Sequence, residues 1–211
     1  MANHVHFSVN FHRINDEAKA KLKELFGRVR KDTDYKWLSD IFVEGDTTYE
    51  MTEKYAWTTE HIGPKWSYFE DYDADDVQPY FNGESAWSPP TDGVIKLLGI
   101  LKEYDPKIVA SMTYEDEGPN FVGGDVFFSD TVFESIEYDD EDIINLVISE
   151  AEGLTEESYD HDTGEWEDDA AEQVYHDEMW EIINNFVWDF CMEEVNYIFE
   201  NPSDFVEETI H

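Results

Sequence analysis

Residues 4–12 read HVHFSVNFH, a run in which polar and apolar residues alternate without exception. The apolar members are Val5, Phe7, Val9 and Phe11. Successive side chains of a strand point to opposite faces of a sheet, so this alternation predicts a strand with one apolar and one polar face. The apolar face needs a covering layer, which the neighbouring segments have to supply.

The segments that follow alternate between helical and extended patterns. A helix is predicted over 16–31 behind an N-cap at Asn15, and a second one from Thr91 to about residue 104. Further strands are predicted over 65–73, 80–87, 107–114, 120–130 and 131–138. The order β-α-β-β-α-β-β predicts an α+β fold, a ferredoxin-like antiparallel sheet with two helices on one face.

The pattern changes after Tyr138. A short helix with several carboxylates in its first turn is predicted next, and residues 166–200 predict one long helix that ends before Pro202. We therefore predict a ferredoxin-like α+β domain over 1–138 and an acidic helical extension over 139–211 packed on it.

The long helix is expected to bury one apolar stripe and to expose other apolar residues. The residues assigned to the buried stripe are Met179, Ile183, Phe186, Val187, Phe190, Cys191 and Ile198. Four more, Trp188, Met192, Val195 and Phe199, fall off this stripe. These residues could form a homodimer contact through the C-terminal helix.

The charges are divided unevenly along the chain, whose net charge is −39. All 13 Lys and Arg lie within residues 1–107, whereas 108–211 holds 32 of the 52 Asp and Glu. Hydrophobic residues make up 41%, too many for a disordered chain. On an expected surface of roughly 10,000 Å², the second half has about 160 Å² per net charge, against about 105 Å² for B-DNA.

This charge density predicts a phage- or plasmid-encoded nucleic-acid mimic. Its acidic surface would block the DNA- or RNA-binding groove of a host protein of defence, transcription or recombination. The alternative is a non-enzymatic adaptor that binds a partner through an aromatic surface, its acidity incidental. The predicted partner-binding residues are Asp139, Asp140, Glu141, Asp142, Glu156, Glu157, Asp160, Asp162, Glu165, Glu167, Asp168, Asp169 and Glu172.

Other classes of function find little support in the sequence. Nucleic acid and anionic membranes would be repelled, so neither is expected as a partner. We expect no enzyme and no cofactor, because no nucleophile, phosphate-loop or zinc-protease motif is present. The single Cys191 and the absence of a secretory signal or an apolar run long enough for a membrane helix predict a cytoplasmic protein.

Two places in the sequence carry residues that could bind a metal ion. His4 and His6 share one strand face, but no Cys or third His is spaced to close a site, so a polar strand face is the favoured interpretation. The segment YDHDTGEWEDD, residues 159–169, fails the EF-hand spacing, because Gly164 stands at position 5 and Ala171 at position 12. It is predicted as a loop in which a weak divalent-cation site stays open.

Three short elements lie within about residues 60–130, namely IGPKWSYFE from Ile62, SAWSPP from Ser85 and YEDEGPNFVGG from Tyr114. Together they resemble the YubB-type ferredoxin-like family of plasmid and phage proteins. The resemblance implies a ferredoxin-like fold and an origin in a mobile element, and it implies no catalytic residues. The acidic segment after Tyr138 departs from the pattern of that family.

Overall fold

The computed structural model describes residues 3–30, 35–42 and 51–205. Five α-helices occur in these ranges: α1 (Asp16–Phe26), α2 (Met51–His61), α3 (Thr91–Leu101), α4 (Asp140–Glu150) and α5 (Asp169–Glu200). The strands are β1 (His4–Arg13), β2 (Lys36–Trp37), β3 (Ser67–Asp73), β4 (Tyr80–Ala86), β5 (Val109–Asp116), β6 (Phe121–Phe128), β7 (Thr131–Asp139), β8 (Tyr159–Asp160) and β9 (Glu165–Trp166).

Seven of these strands form one sheet in the order β2-β3-β4-β1-β5-β6-β7, and every neighbouring pair is antiparallel. The predicted α+β class with an antiparallel sheet is confirmed. The sheet is larger than the four-stranded ferredoxin-like arrangement, because β2 extends it on one side and β6 and β7 on the other. Among the described strands, β7 forms one edge of the sheet.

A first helical layer, made of α1, α2 and α3, covers the apolar face of β1. Val5, Phe7, Val9 and Phe11 are all buried in one cluster with side chains from α1 and α3, as the alternation predicts. The Asn15 side chain caps α1 by accepting a hydrogen bond from the Ala18 amide at 2.8 Å. The expected pair of helices is accompanied by α2, whose segment carries no clear periodicity.

A second helical layer, made of α4 and α5, lies on the opposite face over β5, β6 and β7. The buried residues of α5 are Tyr175, Met179, Ile183, Val187, Cys191, Val195 and Ile198. Phe186 was wrongly assigned to this stripe and is 38% exposed, because it lies about 100° around the helix from Val187. Val195 was wrongly left off it and packs beside Val109 and Val126 of the sheet.

The two glycines of β6 explain how closely these layers approach the sheet. A Cβ on Gly124 would lie 2.7 Å from Cys191 Sγ of α5, and one on Gly123 would lie 2.6 Å from the Tyr114 ring on the other face. Both residues pair regularly with β5 and β7. The small residues therefore let β6 pass between two tightly packed layers.

The segment 159–169, predicted as a loop, contains the short hairpin β8–β9. Gly164 has a φ of 73°, a left-handed conformation that suits glycine at the end of this tight turn. None of the helices in the described ranges combines the length and apolar character needed to cross a membrane.

Candidate interaction surface and sheet-face cleft

The carboxylates predicted to bind a partner fall on four neighbouring elements, which we call the acidic end. All of them are exposed. They are Asp139, Asp140, Glu141 and Asp142 at the start of α4, Glu156 and Glu157 in a 3₁₀ turn, Asp160, Asp162 and Glu165 in the β8–β9 hairpin, and Glu167, Asp168, Asp169 and Glu172 at the start of α5.

Aromatic packing holds these elements against one another. The Tyr159 ring lies 4.8 Å from the Trp166 ring, which in turn lies 4.8 Å from Tyr175 of α5. All three belong to one apolar cluster with residues of α4. Helix α4 also packs directly against α5. Burial, the nearby Tyr159 and the charge of Asp140 raise the pKa of Tyr175 to about 12.

Three of these carboxylates also stabilise the local backbone. Asp139 caps α4 by accepting from the Asp142 amide at 2.9 Å, and Asp168 caps α5 by accepting from two amides. Asp160 accepts from the Asp162 amide at 2.9 Å, and this hydrogen bond is the main reason that the pKa of Asp160 is lowered. Anionic groups at helix N-termini are favoured by the helix dipole. The acidic end therefore combines caps with carboxylates that face solvent.

Ion pairing differs sharply between the two halves of the chain. No Lys or Arg follows residue 107, and within the described ranges only Lys102 with Asp130 joins a Lys or Arg side chain to a carboxylate of the second half. The bases of α1 and of the turn that follows it, by contrast, pair with carboxylates of the first half. Their pairs are Lys21 with Glu24, Arg28 with Glu24, and Lys23 with Asp75.

A cleft of about 390 Å³ opens on the sheet face that also carries α4 and α5. It lies between α5 and the polar side of β1. The side chains around it come from five elements. They include His6, Ser8, Glu70, Asn82, Thr113, Glu115 and Asn184. The predicted polar strand face is confirmed, and His4 and His6 both lie on it, beside Glu84.

Sequence reasoning missed Glu70 and Glu84 as neighbours of these histidines. Their strands, β3 and β4, are distant in sequence, and Glu70 occupies a bulge between Phe69 and Asp71 that no local pattern announces. The alternation of β4 marks Glu84 as a polar-face residue, which is the only signal that was available.

Two buried titratable groups lie between the layers. Asp125 accepts a hydrogen bond from the Thr91 hydroxyl at 3.0 Å, and burial, the largest effect, raises its pKa to about 6. Burial also raises the pKa of Cys191 to about 12, so this thiol stays protonated and unreactive at neutral pH.

Comparison of the chain with models of protein families, with curated protein sequences and with solved structures finds no match.

Proposed function

We propose that the protein is a nucleic-acid mimic that inhibits a host nucleic-acid-binding protein by occupying its basic groove. The observation that carries the proposal is the acidic end, thirteen exposed carboxylates on elements packed together by one apolar cluster. No Lys or Arg occurs in the half of the chain that holds them. A surface of this kind presents to a partner what a phosphate backbone presents.

The mechanism is competition for the groove. Carboxylates of the acidic end would meet the Lys and Arg side chains that normally contact phosphates. Complementary fields of this strength accelerate encounter and make association sensitive to salt. The interaction needs no catalytic group and no cofactor, and it suits a cytoplasmic target of defence, transcription or recombination.

As part of this proposal, we infer an origin in a mobile element from the resemblance of the sequence to the YubB-type family. Strands β3, β4, β1 and β5 are neighbours in the sheet, and with α1 and α3 they follow the order β-α-β-β-α-β once β2 and α2, which lie between α1 and β3, are set aside. This order is that of a ferredoxin-like unit, the architecture that the resemblance to the YubB-type family implies. In this interpretation, α4, α5 and the β8–β9 hairpin are the part that carries the inhibitory surface.

The test is a six-fold variant, in which six carboxylates of the acidic end are replaced by neutral side chains. It keeps Asp139, Asp160 and Asp168, the three carboxylates that accept hydrogen bonds from the local backbone. It changes Glu141, Glu156, Asp162, Glu165, Glu167 and Glu172 to Gln or Asn. A control removes the same charge elsewhere, at Glu17, Glu53, Glu60, Asp92, Glu103 and Glu117, which are also exposed. Both are compared with the natural chain after affinity purification of the partner from host lysate at low and high salt.

Exposed ion pairs are worth about 0.2 to 1 kcal/mol each, so six together correspond to roughly a hundred-fold in affinity. We expect the acidic-end variant to lose about that factor and to show a shallower dependence on salt. The control should lose much less. Equal affinity and equal salt dependence of the acidic-end variant and the natural chain would reject the proposal.

A specific observation favours one second candidate, a protein-binding adaptor. Four aromatic residues of α5 are 38–46% exposed, namely Phe186, Trp188, Tyr197 and Phe199. Exposed aromatic residues are enriched at protein interfaces. If α5 is the binding surface, Trp188→Ala abolishes capture of the partner while the six-fold variant binds normally.

A further inference from the structure

We propose that His6, Glu70 and Glu84 form a binding site for one divalent transition-metal ion, of the class of Zn²⁺, on the open face of the sheet. The three residues come from β1, β3 and β4. Each offers one ligand atom, and these atoms lie within 4.8 Å of one another. This inference stands independently of the acidic end.

Strand register brings the three side chains together. His6 pairs directly with Glu84 across β1 and β4, so their side chains share one face of the sheet. The register of β3 shifts between Phe69 and Asp71, which makes Glu70 the extra residue of a bulge. A bulge re-aims a side chain, and here it places the Glu70 carboxylate beside Glu84.

A second histidine orients the central carboxylate. His4 Nδ1 lies 3.1 Å from Glu84 Oε2, while Glu84 Oε1 faces His6 Nδ1 at 3.7 Å. The His4 ring is itself held edge-on against Trp66, with 4.9 Å between ring centroids. Ligating carboxylates of metal sites are commonly held by such outer hydrogen bonds. His4 is therefore a positioning residue, and Glu84 Oε1 is the oxygen that faces the ion.

The charge around this group also calls for a cation. His6 pairs with Glu115 on its other side. The carboxylates of Glu70 and Glu115 line the cleft, and that of Glu84 lies 3.7 Å from the His6 ring nitrogen. No Lys or Arg lines the cleft in the described part of the chain. Like charges on neighbouring strands destabilise a sheet, and a divalent ion between them removes that repulsion.

The ligand set favours a Zn²⁺-like ion over Ca²⁺ or Mg²⁺. An imidazole nitrogen suits Zn²⁺, whereas Ca²⁺ and Mg²⁺ prefer oxygen ligands alone. Two ligand atoms of a tetrahedral Zn²⁺ lie about 3.4 Å apart, so the exposed Glu70 side chain has to move inward by up to about 1.4 Å. Three protein ligands leave a coordination position open toward the cleft, where the Ser8, Asn82 and Thr113 side chains lie.

The experiment is a calorimetric titration of Zn²⁺ into the full chain in excess Mg²⁺, which saturates loose sites among the many carboxylates. We expect one equivalent of tight binding to the natural chain. Glu70→Gln and His6→Ala should each weaken it at least ten-fold. The matched control is His176→Ala, which removes a histidine that faces one carboxylate, Glu172, at 3.9 Å, and it should bind as the natural chain does.

Co²⁺ provides a second readout that does not depend on affinity, because its visible spectrum reports the ligands. The spectrum of the Co²⁺-loaded chain should change in Glu70→Gln and stay the same in His176→Ala. Glu70 is exposed, so its variant keeps the fold, which circular dichroism verifies. Unchanged Zn²⁺ affinity in both Glu70→Gln and His6→Ala, or no tight equivalent in the natural chain, would overturn the proposal.

Discussion

The two helical layers rest on one antiparallel sheet but solve the problem of surface charge in opposite ways. In the first layer, basic side chains such as Lys23 and Lys54 pair with carboxylates of the same half of the chain. In the second layer, α4 and α5 carry carboxylates with no Lys or Arg of their own. The apolar packing beneath both layers is alike, with fully buried residues in each.

The difference teaches that fold and surface charge are separable here. The total accessible surface is 11,914 Å², so an equal share gives the second half about 190 Å² per net charge, somewhat more dilute than the sequence estimate. Self-repulsion of this kind destabilises the compact state, and apolar burial has to offset it. If the two layers contribute equally to stability, matched substitutions in each should have equal effects.

The largest effects on stability should come from truncating one buried apolar side chain in each layer. Leu98 of α3 and Ile183 of α5 are both fully buried. Each substitution by Ala should lower the free energy of unfolding by about 2 to 5 kcal/mol. Urea unfolding followed by fluorescence and by circular dichroism measures both. If only Leu98→Ala shifts the main transition, the second layer unfolds separately and the layers are not equals.

The next effect concerns Asp125, which sits between the layers. Its pKa of about 6 in the folded protein exceeds the ordinary 3.8. The contribution of Asp125 to the free energy of unfolding therefore falls as pH rises from about 4 to 6. Asp125→Asn should therefore stabilise the protein by about 3 kcal/mol at pH 7.5 and by roughly half of that at pH 5. The exposed Asp162→Asn is the control, and the same gain at both pH values would contradict the assigned pKa.

A smaller effect is expected at the glycine on which α5 rests. Gly124→Ala would place a Cβ 2.7 Å from Cys191 Sγ and 3.0 Å from Val187, and the required shift should cost about 1 to 3 kcal/mol. Gly99→Ala in α3 meets no atom closer than 3.8 Å and should stabilise the first layer by roughly 0.8 to 1 kcal/mol. Thermal unfolding of the two variants should move in opposite directions.

The smallest effects belong to the helix caps. Removing either Asn15 from α1 or Asp168 from α5 by Ala should cost about 1 kcal/mol. Asp168→Asn keeps a capping oxygen and removes a negative charge, so it should be neutral or slightly stabilising. A loss as large as that of Asp168→Ala, measured by urea unfolding, would show that the charge itself holds the start of α5.

Much of the fold follows from local pattern. The alternation of β1, the cap of α1 at Asn15 and the end of α5 before Pro202 are each visible in a single segment. The segment around α2 and β2 carries no periodicity, and its structure depends on packing against α3 and β3. The hairpin at 159–169 was missed because its strands are two residues each, and aromatic contacts with Tyr175 hold them.

The candidate sites divide in the same way. Exposure of the acidic residues follows from charge alone, since isolated carboxylates are costly to bury. The grouping of His6 with Glu70 and Glu84 depends on the pairing of three strands and on a bulge, so it required the structure. Its only trace in the sequence is the polar face of two strands.

The position of β7 at the edge of the sheet has a consequence for how the protein behaves in solution. An edge strand of nine residues is a template to which a strand of another molecule can add. Strand β7 carries three exposed carboxylates, Glu134, Glu137 and Asp139, which would repel the same carboxylates of an added copy, so this repulsion is a guard against fibre-like association. Because no lysine contributes, this guard depends on pH. Acidification toward the isoelectric point of about 4.1 removes the guard and the overall repulsion together, and precipitation should then proceed by strand addition along β7.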